Sequence, residues 1–244
     1  MLDIAYQDES VLIVNKPKGM SVEPDGRGGS LVEAAREYCG CAYACHRLDA
    51  MTGGLVLIAK TRKARDEAFA MFRESVGLGV AGEDGGLVSK VYLCETVRAP
   101  KPSSGELAGY MIKDPKRARV RVYDRPVPGA KLARTLFHAV SSTAGGGCLV
   151  AARLLTGRTH QIRAQFAAAG WPILGDEKYG DWIVNRERRV RGQRLWAAGM
   201  SFGETLGLLQ GLSGKEFWVR APFAPGLDPA AVKRAAAFVM KKNC

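Results

Sequence analysis

The sequence is poor in the residues from which several common kinds of site are built. Histidine occurs only 3 times among 244 residues, and the 6 cysteines do not follow the two-residue spacing of a zinc knuckle or form a recognisable disulfide framework. No uninterrupted apolar run is long enough to cross a bilayer. These absences argue against a zinc protein, a disulfide scaffold and a membrane-spanning protein.

The amino terminus lacks the layout of a signal peptide. Its first ten residues include Asp3, Asp8 and Glu9 in place of a positive segment followed by an apolar one. We therefore expect a cytoplasmic protein whose cysteines remain thiols in a reducing compartment. Because an apolar strand already begins near Val11, we also expect no separate module before it.

Acidic residues are in short supply relative to basic ones. There are 36 Lys and Arg against 24 Asp and Glu, which leaves a formal net charge of +12. Such an excess predicts a polyanionic partner, and nucleic acid is favoured over a membrane surface because no basic amphipathic helix is evident. With 47% hydrophobic residues the chain can bury a sizeable core, and we predict a single catalytic domain over residues 1–244.

The apolar pattern predicts many short strands and a few helices. Apolar or alternating runs indicate strands over 11–15, 54–59, 90–97, 149–155, 195–202 and 216–221. Helices are predicted over 31–38 behind a Ser30–Glu33 capping box, and over 62–74, 159–170 and from Pro229 onward. Residues 77–86 indicate a surface loop, and the basic span 113–134 indicates a hairpin that is either solvated or faces phosphate. Few strands are joined by single crossover helices, so we predict an α+β protein with a mixed, largely antiparallel sheet.

One loop combines a carboxylate with a rigid support. Asp49 follows Arg47 by two residues and precedes the apolar run Leu55–Ile58, which is typical of a buried strand. A reactive carboxylate presented on a rigid strand is one interpretation of this pattern. An ordinary surface ion pair is the other, and the loop by itself does not choose between them.

Four motifs, taken in order, resemble those of the RluA-type pseudouridine synthases, which isomerise uridine in RNA. They are HRLD-x-x-T-x-G at His46–Gly54, K-x-Y at Lys90–Tyr92, TGRTHQIR at Thr156–Arg163 and I-L-G-D-x-x-Y at Ile173–Tyr179. The resemblance covers residues 6 to 222. It implies a mixed sheet in two lobes with flanking helices and a central active cleft, and it implies neither a metal nor an organic cofactor.

The resemblance also implies a catalytic set. Asp49 is similar to the catalytic aspartate of the family, Arg163 to the arginine that pairs with it, and Tyr92 to the aromatic that stacks on the flipped uracil. The chemistry agrees, because a carboxylate that stays ionised in a cleft without water needs a neighbouring cation. Whether the carboxylate attacks the base or the sugar, or removes a sugar proton, stays open.

The remaining expectations concern RNA. Arg47 is similar to the side chain that enters the RNA stack where the target base is displaced, and we predict that Arg158 and Lys90 contact RNA as well. The substrate is expected to be ribosomal or transfer RNA and the protein a monomer. The alternative is a non-catalytic RNA-binding or RNA-folding protein that uses its basic surface alone. The family commonly carries histidines where this chain has Glu23 and Trp196, and these departures bear on RNA preference.

Overall fold

The chain forms two compact units. The computed structural model describes residues 1–26, 28–77, 87–114 and 119–240. The first unit comprises Met1–Lys90 and Trp196–Pro225, and the second comprises Val91–Leu195 and Gly226–Cys244. The single catalytic domain expected over the whole chain stays a prediction.

The elements follow the order that the sequence pattern indicates, with several additions. In chain order they are β1 (Ile4–Gln7), β2 (Val11–Lys16), α1 (Leu31–Cys39), β3 (Tyr43–Ala44), β4 (Gly53–Ala59), α2 (Arg62–Gly77), β5 (Val88–Thr96), β6 (Ser104–Asp114), β7 (Arg119–Tyr123), β8 (Lys131–Thr143), β9 (Gly147–Leu154), α3 (Gln161–Ala168), α4 (Trp182–Glu187), β10 (Leu195–Phe202), β11 (Glu216–Trp218) and α5 (Pro229–Met240). Apart from Gly77, which ends α2, the loop predicted over 77–86 lies outside the described residues.

Strand β4 is the centre of the first unit. It pairs antiparallel with β2 and β3 and parallel with β10, while β1 pairs with β2 and β11 pairs with β10. Every residue of β4 is buried. On one side Leu55 and Leu57 share a core cluster with Ala64, Ala68 and Met71 of α2. Burial on both faces explains why the β4 sequence is continuously apolar instead of alternating.

Helix α1 begins with the predicted capping box. Glu33 N donates to Ser30 Oγ at 3.2 Å, and Ser30 N donates to Glu33 Oε2 at 2.8 Å. The helix ends at Cys39, and Gly40, whose φ of 81° lies in the left-handed region, follows as its C-cap. Each end is set by residues within a few positions of that end, so the sequence alone predicts this helix correctly.

The second unit is built on an antiparallel sheet in the order β5, β9, β8, β6, β7. Helix α5 packs against β8 and β9, and α3 packs against β6, β7 and β8. Three aromatic rings join the end of α3 to the sheet: Trp171 lies 4.3 Å from Phe166 and 4.9 Å from Phe137 between ring centroids. Antiparallel pairs predominate in both units and helices flank the strands, which confirms the predicted mixed, largely antiparallel α+β fold.

Some predicted boundaries were wrong for identifiable reasons. The helix expected from residue 159 begins at Gln161, because His160 adopts a left-handed backbone with φ 54° and so cannot continue a helix. The sequence did not predict α4, which Asp181 caps by accepting from the N–H groups of Ile183 and Val184. In the part of the chain that the structure describes, no helix is long and apolar enough to cross a membrane.

Candidate active site

The loop that carries Arg47 and Asp49 is tied to β4 at both ends. At its start, His46 Nε2 accepts the N–H of Leu57 at 3.1 Å. At its end, the N–H of Thr52 donates to the Asp49 carbonyl at 2.9 Å, and β4 begins with the next residue. The backbone on either side of Asp49 is therefore fixed by a buried strand.

The side chain of Lys16 anchors the middle of this loop. Lys16 is fully buried, and its ammonium donates to the carbonyls of Pro17 at 2.9 Å, Met20 at 2.8 Å and Ala50 at 3.1 Å. The N–H of Gly19 donates to the same Ala50 carbonyl at 2.9 Å. Two donors thus converge on the residue that follows Asp49.

Lys16 also shapes the electrostatics of the first unit. Burial lowers its pKa to about 8, and the negative charge of Asp49 opposes that shift. At neutral pH Asp49 therefore has a cation nearby within its own unit. The sequence pattern did not predict this role for Lys16. A cation at the end of an otherwise mostly apolar strand, directly before a proline, was the available signal.

The two glycines after the loop allow β4 and β10 to approach closely. A Cβ at Gly54, where φ is +110°, would lie 2.3 Å from the Ala197 carbonyl oxygen. A Cβ at Gly53 would lie 2.2 Å from the Trp196 ring. Trp196 is 5% exposed, so this tryptophan is a packing residue of the first unit.

Arg47 is the most accessible of the predicted site residues in the first unit. Its side chain is 78% exposed, and its Nε lies 3.8 Å from an oxygen of Glu23, whose side chain is 55% exposed. Exposed ion pairs of this kind contribute little stability. The Arg47 guanidinium can therefore exchange this partner for another anion at small cost.

Lys90 lies over the ring of Phe72 in the first unit. Its ammonium is 4.6 Å from the ring centroid of Phe72, and the His46 ring meets Phe72 edge-on at 5.0 Å. Burial lowers the pKa of Lys90 to about 8. Burial also holds the pKa of His46 well below its usual value, with the Lys90 charge adding to the effect. His46 is consequently neutral and structural, whereas RNA contact by Lys90 stays a prediction.

Tyr92 and Arg158 belong to the second unit. Tyr92 is 5% exposed and lies opposite Ala152 in the pairing of β5 with β9. The Nε of Arg158 donates to the Leu132 carbonyl of β8 at 3.0 Å. This bond holds the Nε edge of the Arg158 guanidinium against the sheet.

Gln161 organises the start of α3. Its Oε1 accepts from Thr156 Oγ1 at 2.8 Å and from the N–H of Arg158 at 2.9 Å. Its Nε2 donates to the Arg134 carbonyl and to Thr135 Oγ1, both at 2.9 Å. A buried amide with four such bonds holds the motif segment onto β8, a role that the sequence pattern did not predict.

Arg163 makes a buried bidentate ion pair within its unit. Its Nε donates to Asp176 Oδ2 at 2.7 Å and its Nη2 donates to Asp176 Oδ1 at 3.0 Å. Burial raises the pKa of Asp176, but Arg163 together with the N–H groups of Tyr179 and Lys178 outweighs this and leaves the pKa below its usual value. Asp176 belongs to the fourth sequence motif, but the motif alone did not predict this ion pair.

The six predicted site residues divide between the two units. The first unit holds Arg47, Asp49 and Lys90, and the second holds Tyr92, Arg158 and Arg163. Within the units the structure adds Lys16 beside Asp49, and Asp176 with Tyr179 beside Arg163. The predicted pairing of Asp49 with Arg163 joins residues of different units and stays a prediction.

Among the described residues, no three or more His, Cys, Asp or Glu side chains lie together in a way that could hold a metal ion. The cysteines among them are free thiols, namely Cys39, Cys41, Cys45, Cys94 and Cys148.

Comparison with known proteins adds the family. The model of the RNA pseudouridylate synthase family matches residues 10–168. The chain is 32% identical to the dual-specificity RNA pseudouridine synthase RluA of Escherichia coli O157:H7, over 80% of this chain and 82% of that protein. It is 30% identical to RNA pseudouridine synthase 2, chloroplastic, of Oryza sativa subsp. japonica, over 73% of this chain and 49% of the rice protein.

A solved structure shows the same fold. Human RNA pseudouridylate synthase domain containing 1 aligns with a TM-score of 0.72 and 24% identity, covering 95% of this chain and 87% of that one. The chain spans about half the length of the rice relative. Taken with the matched family model, these likenesses establish that the chain belongs to the RNA pseudouridylate synthase family.

Proposed function

We propose that this chain is an RNA pseudouridine synthase that isomerises specific uridines in structured RNA, either ribosomal or transfer RNA. The observation that carries the proposal is the anchoring of the loop around Asp49. The Ala50 carbonyl next to this carboxylate accepts from both Lys16 Nζ and Gly19 N. A group that performs chemistry must be held in place by its surroundings, and a surface ion pair would not need this support.

The reaction exchanges one bond to the sugar for another. The bond between uracil N1 and C1′ breaks, the base turns, and a bond forms between C5 and C1′. C5 then loses its proton, and N1 gains one. Asp49 acts in its ionised form, either as a nucleophile toward the base or sugar or as the base that removes a sugar proton. Arg163 is proposed to be the cation that pairs with this carboxylate, because a charged carboxylate in a cleft without water needs a neighbouring cation.

Base flipping is the step that the RNA contacts serve. Extruding a stacked uridine costs on the order of a few kcal/mol, which contacts to the flipped base and its strand must offset. In this proposal Arg47, 78% exposed at its side chain, fills the vacated space, and the ring of Tyr92 stacks on the uracil. Lys90 and Arg158 are proposed to make further RNA contacts, which the net charge of +12 favours.

The proposal extends to cofactor, assembly and location. The protein acts as a monomer in the cytoplasm, where its RNA would be found, and it needs no metal or organic cofactor. The free thiols of the described cysteines agree with a reducing compartment. Binding to RNA depends on salt, because neutralising phosphates releases counterions.

The experiment removes the charge of Asp49 while keeping the shape of the side chain. Purified wild type, Asp49→Asn and the control Asp66→Asn are incubated with bulk cellular RNA, and the nucleosides are separated by chromatography. Asp66 is a matched control because its side chain is 63% exposed and pairs only with Arg65 among the described contacts of the first unit. We expect Asp49→Asn to abolish pseudouridine formation and Asp66→Asn to retain it.

RNA affinity separates catalysis from binding. We expect Asp49→Asn to bind RNA with the affinity and salt slope of wild type, because one carboxylate adds nothing to phosphate neutralisation. Pseudouridine formation that persists in Asp49→Asn contradicts the assignment. A wild-type protein that binds RNA but forms no pseudouridine supports the alternative of a non-catalytic RNA-binding protein.

The target follows from a second measurement. Pseudouridines are mapped in cellular RNA from strains with and without the protein, and from a strain that carries Asp49→Asn. A site that disappears in both altered strains is a target. A site that depends on the protein but not on Asp49 reports an indirect effect.

A further inference from the structure

The carboxylate that pairs with Arg163 makes more hydrogen bonds than the ion pair alone requires. The Asp176 side chain is fully buried and that of Arg163 is 10% exposed. Besides the two bonds to Arg163, Asp176 Oδ1 accepts the N–H groups of Lys178 at 2.8 Å and Tyr179 at 3.0 Å. The carboxylate is thus fixed by the backbone of its own turn, and it fixes the guanidinium in turn.

Tyr179 covers the guanidinium from a second direction. The Arg163 Cζ lies 5.2 Å from the centroid of the Tyr179 ring, within the range of a cation–π interaction. The phenol oxygen accepts the N–H of Val120 at 2.7 Å and lies 2.9 Å from His160 Nδ1. The phenol oxygen is therefore held by two groups, and the tautomer of the His160 ring decides which of the two atoms donates between Nδ1 and the phenol.

We propose that Asp176 and Tyr179 are positioning residues that hold the Arg163 guanidinium in the orientation needed for the reaction. Asp176 uses the Nε and Nη2 edge of the guanidinium, and Tyr179 covers its face. Displacing a positioned group by about 1 Å can cost on the order of a hundredfold in rate. This inference rests on the proposed function, because it assumes that Arg163 acts on the catalytic aspartate.

A purely structural ion pair is the competing explanation, and the two differ in how the variants combine. If Asp176 acts through Arg163, removing both partners costs no more activity than removing Arg163 alone. If Asp176 serves only to stabilise the fold, its loss lowers the free energy of unfolding without a specific effect on kcat. A double-mutant cycle on kcat therefore separates the two explanations.

The experiment uses the full chain and an RNA substrate, with kcat, KM and RNA affinity measured for each variant. The variants are Asp176→Asn, Arg163→Ala and the double variant. Asp181→Asn is the control, because asparagine retains the cap of α4 and only an exposed pair with Arg98 is lost. We expect Asp176→Asn to lower kcat by about 10- to 100-fold while KM changes less than about twofold, since the buried carboxylate does not meet RNA.

In the Arg163→Ala background we expect Asp176→Asn to lower kcat no further. Equal effects of Asp176→Asn in both backgrounds overturn the proposal. A wild-type kcat in Asp176→Asn combined with a low kcat in Arg163→Ala overturns it as well, while leaving the proposed function intact. A wild-type kcat in Arg163→Ala instead contradicts the role of Arg163 in the proposed function.

Asp176→Glu keeps the inference testable if Asp176→Asn does not fold. The charge is unchanged, but the added methylene moves the carboxylate and with it the guanidinium. We expect a lowered kcat and an acid limb of the pH–rate profile shifted to higher pH, because a displaced cation no longer holds the catalytic carboxylate ionised. A folded Asp176→Glu with the kcat and pH profile of wild type contradicts the proposal.

Tyr179 is tested by two substitutions that separate its ring from its hydroxyl. Tyr179→Leu removes the ring over Arg163, and Tyr179→Phe removes only the bonds to Val120 and His160. We expect Tyr179→Leu to lower kcat by about tenfold or more, and Tyr179→Phe to lower it less. Equal kcat values for Tyr179→Leu and wild type exclude Tyr179 from this role.

Discussion

Replacing Lys16 with methionine removes a buried charge while keeping the length of the side chain. The wild-type ammonium donates to three backbone carbonyls, those of Pro17, Met20 and Ala50. Methionine fills the space but cannot donate. The variant therefore leaves three acceptors without this donor and loosens the backbone next to Asp49.

The free-energy cost of burying the Lys16 charge follows from the pKa of this side chain. Its value falls from 10.5 to about 8 in the native protein, because burial disfavours the charged form. At about 1.4 kcal/mol per pKa unit, the charged form is disfavoured by about 3 kcal/mol relative to an exposed lysine. The figure applies to a side chain that is fully buried.

The contribution of Lys16 to the free energy of unfolding changes with pH only between its native and unfolded pKa values. Below pH 8 both the native and the unfolded chain carry the proton, so this contribution to the free energy of unfolding is constant. Between pH 8 and 10.5 the native protein releases the proton while the unfolded chain retains it. The free energy of unfolding then rises with pH, and the rise ends above pH 10.5.

The assay is urea denaturation of wild type and Lys16→Met from pH 7 to 10.5. We expect the free energy of unfolding of wild type, minus that of the variant, to grow by about 3 kcal/mol across this range. Titrating groups common to both proteins cancel in the difference. Lys63→Met, at an exposed position of α2, is the control and is expected to give a flat difference. A flat difference for Lys16→Met as well refutes the argument.

Three further predictions concern the first unit. Gly54→Ala should lower the free energy of unfolding by about 3 kcal/mol or more, because its Cβ would lie 2.3 Å from a backbone oxygen. Gly29→Ala is the control, because a Cβ there has open space, and it should be tolerated. Urea denaturation measures both variants. Lys90→Met should remove the part of the rise in the free energy of unfolding between pH 8 and 10.5 that Lys90 contributes. If Lys90 contacts phosphate, the same variant should reduce the salt slope of RNA binding by about one, which a salt titration measures. Because burial holds the pKa of His46 well below 6.5, wild type should lose stability as the pH falls through 6.5. His46→Phe should lose less over the same range but not zero, because burial also lowers the pKa of His138, which the variant retains; acid denaturation curves test this.

The parts of the fold that sequence predicted are those fixed by near neighbours. Ser30 and Glu33 are three residues apart and cap the start of α1, and Gly40 caps its end, so both ends of this helix were predicted. The continuous apolar run of β4 predicted a strand buried on both faces. Both features need no knowledge of the rest of the chain.

The errors arose where distant contacts or backbone strain intervene. The left-handed backbone of His160, whose ring meets Tyr179, delays the start of α3 in a segment with good helical pattern. The charged segment around α4 gave no clear period, yet Asp181 caps a short helix there. Neither a left-handed residue nor a helix of six residues leaves a periodic signal.

The sequence by itself determined the chemical groups of this protein: four motifs in order, one candidate carboxylate and a strong excess of positive charge. Tertiary structure decided how those groups are held. Lys16 finds the Ala50 carbonyl 34 positions along the chain, and Arg163 finds Asp176 13 positions away. The physical reason is that burial removes water as a hydrogen-bond partner. Each buried charge must then be satisfied by a donor or acceptor that the fold brings beside it, and the linear sequence does not specify that partner.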